Sequence, residues 1–244
     1  MKRVLLTICY DGTAYHGWQT QPNGITVQQV LCDQLSLMLG KKTDITGCSR
    51  TDAGVHAKMF CCHLDCDDNI PDEAFIRGLS SRLPNDISVL DCKRVADDFH
   101  ARYDALGKIY RYNILNSNIK DPFLERYSWR IERKLDIDKM NEFCKEIIGT
   151  HDFYAFSSSG RTVTDTVRTI KECKVDKNGD MVTLSVTANG FLYNMVRIIV
   201  GTAVGVSDGK INPSDIRNIL EEKKRENAGV TAPAKGLFLE KVIY

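Results

Sequence analysis

Apolar residues in this chain follow two periods, and they alternate between them in the same order twice. In the first half, period-two alternation over 3–10 gives way to helical spacing over 27–39, carried by Val27, Val30, Leu31, Leu35 and Met38. Alternation returns over 43–48 and 55–65, a second helical stretch covers 71–82, and a strand pattern covers 87–96. Period two puts successive side chains on opposite faces of a strand, whereas residues three and four apart share a helix face. Thr26 stands where an N-cap belongs, and Pro71 suits a first helical turn. The order β-α-β-β-α-β is that of a ferredoxin-like unit.

The second half repeats it with an extra helix. A strand at 108–115 precedes a basic excursion and a helix at 137–148. Strands near 167–175 and 182–188 are split by the turn Lys177-Asn178-Gly179-Asp180. Helices at 192–206 and 213–223 and a strand at 237–243 complete it. The pattern predicts an α+β protein of two ferredoxin-like halves, 1–104 and 105–244, joined into a mostly antiparallel sheet with helices on one face. The other face, or the seam, would form a cleft.

Formal net charge is +1 over 244 residues, so a nucleic-acid partner would need locally clustered charge. Residues 100–134 supply it, with eight Lys or Arg against four acids and with six aromatics interleaved. That mixture suits phosphate contacts and base stacking; a strand-rich surface with snorkelling arginines is the plainer meaning. The nine cysteines form no CxxC pair. The apolar stretch Val4-Leu5-Leu6-Thr7-Ile8 is too short for a signal peptide, so reduced thiols in a cytoplasmic setting are expected. Cys61, Cys62, His63 and Cys66 sit on one strand, where alternate residues diverge, and read as buried thiols rather than metal ligands.

Two features carry chemistry. Ser49-Arg50-Thr51-Asp52-Ala53-Gly54-Val55-His56-Ala57 sets an arginine and a carboxylate two positions apart in a glycine-loosened turn. Such a turn either presents a single acid to a substrate or is a solvated ion pair. His56 beside it is either a general base or a buried histidine at a strand start. The helix at 192–206 is apolar on most faces, yet carries Arg197, which calls for an anion. Asp52 is the sharper candidate, with Arg197 holding it ionised and oriented, although any carboxylate would serve. Tyr110 alternates with Lys108 and Tyr112 on one strand face; it could stack on a base, accept a proton, or fill the core. Walker, GxGxxG, GxSxG and HExxH patterns and a deaminase zinc set are absent from the sequence.

With these residues in view, the chain resembles the TruA family of tRNA pseudouridine synthases along its whole length. The Arg50–Ala57 block carries the likeness, together with Tyr10-Asp11-Gly12-Thr13-Ala14-Tyr15-His16-Gly17-Trp18-Gln19 and Phe99-His100-Ala101-Arg102-Tyr103 with Lys108-Ile109-Tyr110-Arg111-Tyr112. His151-Asp152-Phe153 with Arg168-Thr169-Ile170, Phe191-Leu192-Tyr193-Asn194-Met195-Val196-Arg197, and Ala232-Pro233-Ala234-Lys235-Gly236-Leu237 complete it. Ser49 replaces a frequent glycine, and Asn194 a common histidine.

The resemblance implies isomerisation of uridine to pseudouridine at positions 38 to 40 of the tRNA anticodon stem-loop. It implies a homodimer working in the cytoplasm without cofactor, metal or membrane, and a central RNA-binding cleft. Asp52 matches the catalytic aspartate, Arg197 its partner, Tyr110 the tyrosine stacked in the pocket, and Arg50 the arginine that enters the RNA helix. Leu237 matches a residue packed against the base. Two other readings stand beside this one. A non-catalytic RNA-binding protein would not need a buried carboxylate–arginine pair, and a metal-dependent hydrolase using Asp52 with His56 or His63 would fail with chelator.

Overall fold

A computed structural model describes residues 2–67, 69–160 and 163–244. The chain forms two compact units, Met1–Leu106 with Phe238–Tyr244, and Gly107–Leu237. Both are α+β, built on mostly antiparallel strands.

In the first unit, β1 (Lys2–Tyr10) lies between β3 (His56–Cys66) and β4 (Ile87–Arg94), antiparallel to both. The short β2 (Thr46–Gly47) pairs with β3 at His63 and Cys62. The order β4-β1-β3-β2 is that of a ferredoxin-like unit. Strict alternation buries Val4, Leu6, Ile8 and Tyr10. Helix α1 (Val27–Leu39) buries Val27, Leu31 and Leu35; Thr26 Oγ1 accepts from Gln29 N at 3.3 Å, and Gly40 closes the helix at φ 66°. The second helical stretch is shorter than its periodicity suggests: Ala74–Leu79 is π-helical. Its wider turn still brings Phe75 and Leu79, four apart, into the core. Hydrophobic spacing alone does not separate the two helix types, because both put residues four apart on one face.

The sequence pattern assigns the closing strand to the second half. In the structure Phe238–Tyr244 belongs to the first unit. Strand β10 (Leu237–Ile243) runs parallel to β3 through Phe238 and His56, Leu106 N donates to Ile243 O, and Tyr244 Oη donates to Ala101 O. These partners are remote in sequence, so no local pattern announces them.

In the second unit the strand order is β5 (Gly107–Leu115), β9 (Met181–Ala188), β8 (Val167–Asn178), β7 (Gly149–Asp152), antiparallel throughout. The short β6 (Trp129–Arg130) adds to β5 in parallel. Gly179, at φ 58°, turns β8 into β9. Helix α2 (Ile137–Glu146) is capped by Asp136 and buries Met140, Phe143 and Cys144. Helix α3 (Met195–Ser207) begins three residues later than expected, because Asn194 is left-handed at φ 60°. Pro213–Asp215 is a 3-10 turn that leads into α4 (Ile216–Glu222).

Along α3 runs the strip 228–233, too close for side chains in between. A Cβ on Gly201 would lie 1.7 Å from Val230 O, and one on Gly229 would lie 2.4 Å from Thr202 N. Thr202 Oγ1 accepts from Gly229 N and donates to Ile198 O. Gly201→Ala therefore has to push the strip off the helix. We expect a cost of about 1–3 kcal/mol or more, read as a lower urea midpoint with unchanged m.

Candidate active site

Asp52 sits in a turn that has no sheet partners. Val55 N donates to Asp52 O at 3.1 Å, and Gly54, at φ 76°, takes the turn's third position. Positive φ there is the type II requirement that glycine meets. Thr51 and Val55 are buried, Asp52 is half-buried and Arg50 exposed. The turn is thus anchored by the buried residues on either side of Asp52.

What pins it is residues 10–18. Trp18 N donates to Thr51 O and Gly54 N to Tyr15 O, while Tyr10 Oη and Thr51 Oγ1 share a hydrogen bond of 2.9 Å. A Cβ on Gly12 would lie 2.0 Å from Val55 O; one on Gly17, whose φ is +83°, would lie 2.5 Å from Thr51 O. Two glycines therefore let one backbone lie directly on another. Aromatics stiffen this cradle: Trp18 stacks on Phe60 at 4.0 Å, and Tyr10 packs against both rings. Tyr15 Oη donates to Asp86 Oδ1 at 2.5 Å, and burial followed by that carboxylate pushes its ionisation far up. Sequence reading assigned no role to Gly12, Gly17, Tyr10 or Trp18. Their signal was two glycines set among aromatics in the Tyr10–Gln19 motif.

His56 is buried and stacks on Phe238 at 4.6 Å. Its Nδ1 lies 3.1 Å from Gly12 N and 3.0 Å from Asp11 Oδ1. Accepting from Gly12 needs a bare Nδ1 and donating to Asp11 needs a proton there, so any one ring state makes one of the two bonds. Either way His56 ties β3 to the cradle, which is the buried-histidine reading. His63 Nδ1 accepts from Ala101 N. Among the described residues no three His, Cys, Asp or Glu side chains are grouped to hold a metal, and no helix is long and apolar enough to cross a membrane.

The second unit holds Tyr110, Arg197 and Leu237. Tyr110 is buried on β5 opposite Val186, with its ring edge-on to Phe191 at 5.0 Å; Lys108, on the same face, is also buried. Arg197 is half-buried on α3. Its Nε donates to Ala232 O and its Nη1 to Asn194 Oδ1, both at 2.7 Å, and Ala232 N donates back to Arg197 O. These neutral acceptors occupy two of the five guanidinium N–H donors. Asn194, in its left-handed conformation, also donates to Ser158 Oγ. Tyr112 Oη donates to Pro233 O, and a Cβ on Gly236 would lie 2.6 Å from the Tyr112 ring. Burial raises the Tyr112 phenol far above its usual range, with Arg197 opposing. The strip that ends in the buried Leu237 is thus held at both Arg197 and Tyr112.

The remaining motif residues are structural ties. Asp152 accepts from Thr166 Oγ1 and Tyr154 N and pairs with Lys223 at 2.7 Å. Burial would raise its carboxyl, but the bonds from Lys223 and Thr166 hold it below the usual range. His151 pairs with Arg168 across β7 and β8.

A family model described as tRNA pseudouridine synthase matches residues 7–104 and 143–244. Those spans take in the cradle, the Asp52 turn, Arg197 and Leu237, with Tyr110 between them. The chain belongs to this family. It is 46% identical over 244 residues to tRNA pseudouridine synthase A of Thermoanaerobacter sp. (strain X514), covering all of both chains. It is 47% identical over 244 residues to the Clostridium acetobutylicum enzyme of that name, and 44% over 245 residues to tRNA pseudouridine synthase A 2 of Clostridium perfringens, again over the full length of each. As a member, it is an isomerase that converts uridine to pseudouridine in tRNA.

The cradle predicts its own failures. Gly17→Ala adds both a strained φ and a contact with Thr51 O; we expect about 1–3 kcal/mol of lost stability and a larger fractional loss of turnover than of tRNA binding. Tyr10→Phe should cost about 1 kcal/mol, measured by urea unfolding.

Proposed function

We propose that this synthase acts on uridines 38, 39 and 40 of the tRNA anticodon stem-loop, with Asp52 as the catalytic carboxylate. The observation that carries the reading is the Asp52 turn, clamped at Thr51 and Val55, with the aspartate itself half-buried. A site that must hold one acid against a ribose needs such a support.

The reaction breaks the bond between uracil N1 and ribose C1′, turns the base, and joins C5 to C1′. The C5 proton leaves to solvent and N1 gains one, so no redox partner or activated phosphate is required. Asp52 serves either as nucleophile at C1′ or as base and counter-charge to a cationic sugar. The target base must first leave its stack, at a cost of a few kcal/mol. Arg50, exposed and two residues from Asp52, fills the vacated space and offsets that cost. Tyr110 keeps the released uracil stacked while it turns, and Leu237 packs against it. Arg197 pairs with Asp52 and holds it ionised. The enzyme works as a cytoplasmic homodimer, with tRNA touching both subunits and with no cofactor or metal.

Tritium release from tRNA carrying C5-labelled uridine tests the assignment. Release should persist with chelator and map to positions 38–40; release only without chelator would overturn the metal-free chemistry. Asp52→Asn should abolish product while tRNA binding remains, and near-normal turnover would remove Asp52 from its role. Arg197→Ala should lower both turnover and stability, the latter by about 1–3 kcal/mol. A double-mutant cycle with Asp52→Asn should show coupling, and additive effects would separate the two residues. Tyr110→Phe should retain activity if stacking is its task.

A further inference from the structure

Between helix α4 and the strip 228–233 the chain turns through a 3-10 segment, Arg225–Asn227, and the Arg225 side chain folds over the residues that follow it. Its Nη1 donates to Ala228 O at 3.4 Å and to Gly229 O at 2.9 Å, and its Nη2 to Thr231 Oγ1 at 3.1 Å. All three acceptors are neutral, and among the described residues no carboxylate pairs with this half-buried guanidinium. Burial lowers its ionisation from the usual arginine value. The strip has no sheet partners, so these bonds stand in for a ladder at the carbonyls of Ala228 and Gly229. Gly229 is thus held twice, by Thr202 Oγ1 at its N–H and by Arg225 at its carbonyl. Thr231, bound by Arg225, is followed directly by Ala232, whose carbonyl accepts from Arg197 Nε.

We propose that Arg225 is a positioning residue for the isomerisation, acting through the strip to aim Arg197. The inference rests on the role given to Arg197 above. A guanidinium is planar, so two bonds to fixed acceptors set the direction of its remaining donors. One acceptor for Arg197 is Asn194 Oδ1, which is anchored through Ser158; the other is Ala232 O. The second is only as fixed as the strip that carries it. Contact with Gly201 and Thr202 sets how near the strip lies to α3. Arg225 fixes the conformation that leads to Ala232, because it binds Ala228, Gly229 and Thr231 at once. A lysine at this position would keep the charge but gather its donors on one atom, rather than spread them across a planar fork.

Turnover at saturating tRNA, tRNA Kd and melting temperature test the proposal. They are compared for wild type, Arg225→Lys, Thr231→Val, Arg197→Lys and the doubles of the first two variants with Arg197→Lys, well below every melting point. Arg225→Lys should lower turnover about tenfold or more while Kd moves less than about twofold, because misplacement of a group at the chemistry acts on the rate. Thr231→Val removes one bond at nearly constant shape and should fall between it and wild type; it carries the test if Arg225→Lys does not fold. On the Arg197→Lys background neither change should slow turnover further, because the group they aim is gone. A lower melting temperature with unchanged turnover at saturation would make Arg225 structural only and overturn the proposal. So would losses that multiply in the doubles, which would separate Arg225 from Arg197. A raised Kd at unchanged turnover would make Arg225 an RNA contact and overturn it equally. Normal turnover in both Arg197→Lys and Arg197→Ala would remove the role of Arg197 itself; that failure is read without any Arg225 variant, and the proposal falls with it.

Discussion

The close approach of two backbones, residues 12–17 against 51–55, supports everything built around Asp52. A turn without sheet partners has no hydrogen-bonded ladder to hold it. Here its carbonyls and amides bond to the preceding loop, and Gly12 and Gly17 let that loop come within reach. The aromatic stack of Tyr10, Trp18 and Phe60 then fixes the loop to the sheet. The backbone that carries the half-buried Asp52 is thereby held on both sides of the residue.

The second unit uses the same device independently. Gly201 and Gly229 let the strip after α4 lie on α3, and Thr202 satisfies the polar groups that the contact would otherwise strand. Arg197 and Tyr112 then hold the same strip at Ala232 and Pro233. Arg197 is thereby part of a local clamp, whatever anion it meets. Asn194 stands between Arg197 and Ser158 in a left-handed conformation that asparagine tolerates better than most side chains.

Much of this was legible beforehand because periodicity reports burial directly. The strands around Val4, Leu6 and Ile8 and around Val182, Leu184 and Val186, the helix capped by Thr26, and the closing strand at 237–243 all follow from it. The π-helical turn at Ala74–Leu79 did not, since its apolar spacing is shared with an α-helix. Strand β7 was hidden inside a polar motif, His151-Asp152-Phe153, whose role is pairing with β8. The start of α3 at Met195 depends on one backbone angle at Asn194 that no hydrophobic pattern records.

By itself, the sequence determined the order of strands and helices, the glycine-bearing Asp52 turn, and membership in a family of tRNA isomerases, because these depend on local chemistry and on motifs read in order. Only the tertiary structure decided that residues 10–18 are the cradle of that turn, that His56 is a tie to Gly12 and Asp11, and that Phe238–Tyr244 completes the first unit beside β3. Those outcomes rest on contacts between segments far apart in the chain, where backbone approach and shared protons, not residue type, select the partner.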